Sequence, residues 1–167
     1  DSLSPETGAR PGQRSLTDTG NGRRFVDENE SVVRYTPSLG WFNWTDGYWK
    51  PDAENLGTRE LAKELAAVIA GETTLYDTPE EKGMVGKWAQ AAKGEAKINA
   101  AISNATSDPR IRVEVDTWDS NIDLLGVLNG VIDLSTGDRL EGRPDLHITR
   151  RAPVRYTPGL RDPAWQS

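Results

Sequence analysis

Two aromatic runs facing each other across Asp46-Gly47 constrain this chain more than any other feature. Trp41-Phe42-Asn43-Trp44-Thr45 precedes the dipeptide, and Tyr48-Trp49-Lys50 follows it. Glycine accepts a positive φ without a Cβ clash, so Asp-Gly between such runs predicts a two-residue β-hairpin. That turn pairs Thr45 with Tyr48 and Trp44 with Trp49, and places Phe42, Trp44 and Trp49 on one face. Trp44 and Trp49 are therefore the expected core residues. Trp41 and Tyr48 fall on the opposite face and are the candidates for exposure, where they could stack on bases or sugars.

Before the hairpin, residues 1–16 are polar and punctuated by Pro5, Gly8, Pro11 and Gly12, and read as a disordered or weakly docked leader. Thr17 or Asp18 can cap a first helix running through Phe25 and Val26, although Gly20 and Gly22 weaken it. Val32, Val33 and Tyr35 suggest a strand ended by Pro37.

The middle of the chain is helical. Leu61, Leu65, Val68 and Ile69 form one stripe of a helix ending at Gly71. Thr78-Pro79-Glu80-Glu81 is a capping box with proline at the first helical position, and its helix is expected to present Met84, Val85, Trp88, Ala91 and Ala92 on one side. A third helix carries Ile98, Ala101, Ile102 and Ala105, with Gly94 as the break or bend before it.

The last third turns to β structure. Ile111 to Val115 alternates apolar and charged residues as a half-buried strand does. Leu124–Leu128 and Val131–Leu134 flank Asn129-Gly130, a second hairpin signal, and Ser135-Thr136-Gly137-Asp138 makes a further turn. His147 to Tyr156 is a final extended stretch interrupted by Pro153. The fold class expected is α+β: an aromatic β-hairpin, a helical middle of about three helices and a C-terminal β-meander.

Composition excludes several kinds of chemistry. The 167 residues contain no cysteine, which removes disulfides and thiolate zinc sites, and one histidine, His147, which leaves charge-relay catalysis little to build on. His147 itself reads as a surface or packing residue. No run approaches the roughly 18 apolar residues of a membrane helix, and the start of the chain does not resemble a secretory signal. The net charge of −6 argues against a whole-surface nucleic-acid binder. Local basic patches survive nonetheless. Between Arg143 and Arg161 stand arginines 143, 150, 151, 155 and 161 against one acid, Asp145. Lys82, Lys87, Lys93 and Lys97 recur along the second and third middle helices against Glu95, and a solvated face is their ordinary explanation. Lys87, Lys93, Lys97, Arg150, Arg151 and Arg155, with Trp41 and Tyr48, are the candidate DNA contacts, weak and salt-sensitive.

No phosphate loop is present. Gly83-Met84-Val85-Gly86-Lys87 has a superficial likeness, but its spacing is short, Trp88 replaces the magnesium-binding hydroxyl, and it follows a helix cap rather than a strand. Glu114 and Asp116, two residues apart, would share one side of a strand, as paired metal-binding carboxylates do in polymerases and primases. The commoner reading is the polar face of an amphipathic strand, because no third carboxylate or phosphate-binding cluster stands beside them.

Several stretches together resemble a known family. Leu16-Thr17-Asp18, Gly20-Asn21, Arg24-Phe25, Arg34-Tyr35, Trp41 and Trp44-x-Asp46-Gly47-x-Trp49 resemble the opening of a phage and plasmid primase–helicase module. Asn129-Gly130-Val131-Ile132-Asp133-Leu134-x-Thr136-Gly137 resembles its closing hairpin, and Ile148-Thr149-Arg150 and Ala152-Pro153-Val154-x-Tyr156 continue the likeness. This is the domain that precedes the superfamily 3 helicase in phage primases and in the poxvirus replicative NTPase. The likeness spans about Leu16 to Pro158. It is looser over 116–128, where Gly126-Val127-Leu128 replaces a more usual proline-containing turn.

The resemblance implies a protein of replication origins or forks, with a primase domain commonly before the module and a hexameric ATP-driven helicase after it. ATP and magnesium would belong to that helicase, and this chain is expected to need no cofactor, to bind no metal and to catalyse nothing alone. The organisation expected is a leader (1–16), the helicase-preceding domain (17–158) and a tail (159–167) leading towards a motor that an excised or natural fragment would lack. Expected partners are the adjoining domains, DNA and a homo-oligomeric ring, in the host-cell cytoplasm and away from membranes. Two other readings stay open: a primase-like nucleotidyltransferase fragment using Glu114 and Asp116, and a stand-alone single-strand-binding module using exposed tryptophans.

Overall fold

The structure is a computed structural model and describes residues 12–159. Helix α1 (Asp18–Asn29) starts where the Thr17 hydroxyl accepts the Gly20 N–H at 3.0 Å. The helix-weakening glycines have a packing reason. A Cβ on Gly20 would lie 2.1 Å from the Ser15 carbonyl oxygen, and one on Gly22 would lie 2.7 Å from Asn104 Cβ. Residues 13–16, grouped with the leader by composition, are tied down: Gln13 donates to the Leu75 carbonyl, and Arg14 pairs with Asp27 and Glu72. Residues 1–11 of the expected leader and 160–167 of the expected tail, Arg161 included, lie outside the described residues.

Strands β1 (Val33–Thr36), β2 (Gly40–Thr45) and β3 (Tyr48–Pro51) form an antiparallel sheet in the order β1-β2-β3. The hairpin register is the one its turn requires, Thr45 with Tyr48 and Trp44 with Trp49, with Asp46 at φ 51° and Gly47 at φ 83°. Both faces of this sheet are covered. Trp41, Val33 and, from the helices, Phe25, Ala62, Leu65, Ile98, Ala101 and Ala105 make one core cluster; Phe42, Trp49, Val113 and Trp118 make another. Trp41 is only 3% exposed, against the expectation that it faces solvent, because α1 and α5 close over its side of the sheet. Trp44, expected in the core, is half-buried against Trp49, their ring centroids 5.3 Å apart. Phe42 stacks on Trp118 at 4.6 Å, a geometry that adds about 1 kcal/mol to the area buried.

The helical middle holds α2 (Leu56–Lys63), α3 (Leu65–Gly71), α4 (Pro79–Ala91) and α5 (Glu95–Ala105). The single stripe expected from Leu61 to Gly71 is divided at Glu64, whose carbonyl accepts both Ala67 N–H and Val68 N–H. At the head of α4 the capping box is complete, with Glu81 N–H on the Thr78 hydroxyl and the Glu81 carboxylate on Thr78 N–H. The buried stripe of α4 is Val85, Ala89 and Ala92, with Trp88 half-buried; Met84 and Ala91, expected beside them, are exposed because they sit one position off that stripe. Gly94 caps α5, which buries Ile98, Ala101, Ile102 and Ala105 as their spacing requires.

The expected strand at Ile111–Val115 is reduced to one parallel bridge. Tyr35 N–H donates to the Ile111 carbonyl and Val113 N–H to the Tyr35 carbonyl, after which Val115–Thr117 turns as a 3₁₀ helix. A second antiparallel sheet follows in the order β4 (Leu124–Val127), β5 (Gly130–Asp133), β6 (Arg139–Leu140). Its first turn is shifted by one residue from the expected Asn129-Gly130. Val127 pairs with Gly130, so Leu128-Asn129 make the connection and Gly130, at φ 145°, opens β5. Asn129 is used otherwise: its side chain accepts Tyr156 N–H at 2.8 Å and donates to the Tyr156 carbonyl at 3.0 Å. The last extended stretch lies along β4 through Ala152 N–H to Gly126 O and Leu128 N–H to Val154 O.

Candidate nucleic-acid interface

The tip of the aromatic hairpin is gripped by the C-terminal segment. Trp49 N–H donates to the Ile148 carbonyl, and its indole N–H donates to the Pro144 carbonyl at 2.9 Å. The next residues carry the arginines across the tip. Arg151 lays its guanidinium over the Tyr48 ring, 4.3 Å from the centroid, and donates to the Asp46 carbonyl at 3.3 Å. Tyr48 is thus half-buried and already stacked, rather than an open platform for a base.

Arg150 has a different partner. Its backbone N–H and that of Thr149 donate to the Asp119 carboxylate at 3.3 and 2.8 Å, and the Thr149 hydroxyl bonds the same group. Asp119 sits in the left-handed region at φ 49°. The Arg150 side chain remains 91% exposed, with its Nε 3.9 Å from Asp119. Arg155 is exposed further along, and Arg143 pairs with Asp145 at 3.3 Å. Arg34, from β1, stacks on Trp49 at 4.9 Å, and burial pulls its pKa down although Glu30 opposes this.

The lysines form a separate group. Lys87 and Lys93 are exposed, the first on α4 and the second just beyond it. Lys97 is engaged: its ammonium pairs with Asp18 at 2.8 Å and lies 4.5 Å from the centre of the Trp88 ring. These lysines sit on helices packed against α3 and against α1 and α2, whereas the arginines follow the hairpin tip. The structure therefore divides the expected basic surface in two, and assembles Arg150, Arg151 and Tyr48 but not Trp41.

The expected carboxylate pair is not on a strand. Glu114 and Asp116 are both exposed where the chain turns into the 3₁₀ helix, and Glu114 meets Arg112 at 3.7 Å. Among the described residues no group of three or more His, Asp or Glu side chains is placed to hold a metal ion. Gly83 to Lys87 lies inside α4, where a phosphate-cradling loop cannot form. His147 packs edge-on against Trp118, ring centroids 5.7 Å apart. No helix among the described residues is long and apolar enough to cross a membrane.

Sequence reasoning missed a heavily bonded buried charge among the described residues. Arg24 is fully buried and forks onto Glu72, and neighbouring Asn21 accepts the Trp88 indole N–H at 2.9 Å. A charged residue within a helix looks solvated from its sequence alone; the only pointer was its place in the Thr17…Arg24-Phe25 motif.

A two-faced aromatic sheet, a helical layer tied to the segment before it by the buried Arg24–Glu72 pair and arginines beside a hairpin tip define an α+β domain. Residues 22–167 match the family described as D5 N terminal like. The chain belongs to that family, the N-terminal domain of phage and viral primase–helicase D5-like proteins. No curated protein matches the chain.

Proposed function

We propose that this domain is a non-catalytic connector in a viral or phage replication primase–helicase. It links priming to unwinding, supports assembly of the helicase ring, as a hexamer in the parent protein, and meets DNA weakly. ATP and magnesium belong in this reading to the helicase, and the host cytoplasm is where it works. Family membership supports the replication context. The observation that carries the DNA contact is the fixed presentation of Arg150: its backbone is clamped by Asp119 while its side chain is 91% exposed beside the Arg151–Tyr48 stack. A held backbone with an exposed guanidinium, only loosely paired with Asp119, suits a phosphate, which rewards charge without demanding sequence. Arg155 extends this line, and Lys87 and Lys93 offer a second, separate one.

The test is fluorescence anisotropy of labelled single- and double-stranded DNA against salt, using the full chain. Arg150→Ala and Arg155→Ala are each expected to weaken binding and to flatten the log K against log salt slope by about one unit. No binding of either DNA form at low salt would remove the contact. ATP hydrolysis or primer synthesis by the purified chain would remove the non-catalytic reading.

A further inference from the structure

Away from the hairpin tip, an open cleft of about 430 Å³ lies between the β1–β2 sheet, the loop before α2 and helix α5. Its floor is Tyr35, Trp41 and Ile102. Tyr35 and Trp41 lie 5.2 Å apart between ring centroids; Trp41 is nearly covered, so half-buried Tyr35 supplies the ring face. The rim is polar and comes from Glu54, Asn55, Arg59 and Asn99.

The rim is held in place. Arg59 donates to the Asn99 side-chain oxygen, which leaves the Asn99 NH₂ as the end available to a ligand, and reaches Glu95 at 3.4 Å. Glu54 and Asn55 are consecutive left-handed residues, at φ 55° and 58°. Such a conformation costs a glutamate about 1 kcal/mol or more, and it persists where surrounding bonds fix it. Here Asp52 fixes it, accepting Gly57 N–H at 2.9 Å and Thr58 N–H at 2.8 Å on the far side of the loop.

We propose that this cleft takes a nucleobase. An aromatic floor calls for a flat ring, and the volume suits a small molecule. The rim offers donors from Asn99 and Arg59 and acceptors from Asn55 and Glu54, the mixture a base edge requires. Arg59 meets Glu95 at 3.4 Å and shares the rim with Glu54, so the rim carries no net positive charge and favours a polar, uncharged ring over a free anion. The base reaches it either on a mononucleotide or splayed from a single strand. This site shares no residue with the arginine contact and does not rest on it.

The test is a ¹⁵N-resolved NMR titration of the full chain with dGMP and, separately, with a mixed-sequence single-stranded DNA oligonucleotide. Shifts are expected at the Gly40 and Trp41 amides and at the Asn99 side-chain NH₂. Asn99→Ala and Asn55→Gly, both at exposed positions and the second keeping the left-handed backbone, are each expected to weaken binding about tenfold. Cleft shifts with both probes, or with either one alone, support the proposal and say which source delivers the base. Shifts confined to Tyr48 and Arg151, no shifts with either probe, or affinity unchanged in both variants overturn it. Cleft shifts with dGMP whose affinity is unchanged in Arg150→Ala, the variant expected to weaken oligonucleotide binding, separate this site from the arginine contact.

Discussion

Arg24 and Glu72 meet as a buried fork on a fork, with Arg24 Nε donating to Oε1 at 2.8 Å and Nη2 to Oε2 at 2.6 Å. The remaining guanidinium donors go to the Ser15 carbonyl, the Asn21 side-chain oxygen and the Arg14 carbonyl at 2.8, 3.3 and 2.9 Å, and Arg14 adds a second cation to Glu72 at 2.9 Å. One side chain thereby joins the segment before α1, α1 itself and the turn after α3. Removing one partner strands the other charge, so Glu72→Ala should lower unfolding free energy by about 3–5 kcal/mol in urea titration. Arg24→Met with Glu72→Met should recover part of that loss. A Glu72→Ala protein within about 1 kcal/mol of the parent would contradict the buried pair.

Helix α1 makes a prediction opposite in sign to helix propensity. Alanine is the better helix former by about 1 kcal/mol, yet Gly22→Ala would press a methyl onto Asn104 Cβ at 2.7 Å and Gly20→Ala onto the Ser15 carbonyl at 2.1 Å. Both should destabilise, by about 1–3 kcal/mol, with Gly20→Ala the worse because backbone must move. Gly83→Ala, in α4 with open space around its added Cβ, should instead stabilise by about 0.5–1 kcal/mol. Thermal melts of the three variants check the ordering.

Acid should unfold the domain through three aspartates. Burial alone would raise the Asp52 carboxyl, but the Thr58 hydroxyl and the Thr58 and Gly57 amides outweigh it and hold the pKa below its ordinary value. Burial also opposes the shift at Asp27, where Arg110 and Arg14 prevail; at Asp108 the Arg110 hydrogen bond is the leading cause. A depressed folded pKa contributes stability that is full above the unfolded value, about 3.9, and is lost as pH falls through the folded one. Stability should therefore decline steeply below about pH 4. Asp52→Asn should make that decline shallower while lowering stability at neutral pH. A parallel downward shift at every pH would refute the linkage.

Features set by neighbours in the chain were legible. The Asp46-Gly47 turn fixes the Thr45–Tyr48 register, and Thr78 with Glu81 fixes the start of α4, because each involves residues a few positions apart. Burial of Trp41 was not legible. Alternation assigns it a face, but only the arrival of α1 and α5 decides that the face is covered. The same limit applies to the candidate interface: Arg150 and Arg151 stood out as charges, whereas the stack of Arg151 on Tyr48 exists only because the C-terminal segment crosses the hairpin. Resemblance carried the family where spacing alone could not, since Arg24 is conspicuous in the motif and inconspicuous in its helix.

Asn129 offers the last test, because its type suggested one role and its geometry another. An asparagine beside a glycine predicts a positive-φ turn, yet Asn129 lies outside that region and its amide holds both backbone groups of Tyr156. If the turn were its purpose, Asn129→Ala would disturb β4 and β5. If the clamp is, the substitution should leave that hairpin intact and release the segment around Val154–Tyr156, which also meets Leu128 through Val154 and Gly137 through the Tyr156 hydroxyl. Two lost hydrogen bonds predict about 1–3 kcal/mol, expressed locally. Amide hydrogen exchange should accelerate at Tyr156 and Leu128, while Val131 and Ile132 keep their protection. Loss of protection across the whole sheet would assign Asn129 to the turn after all.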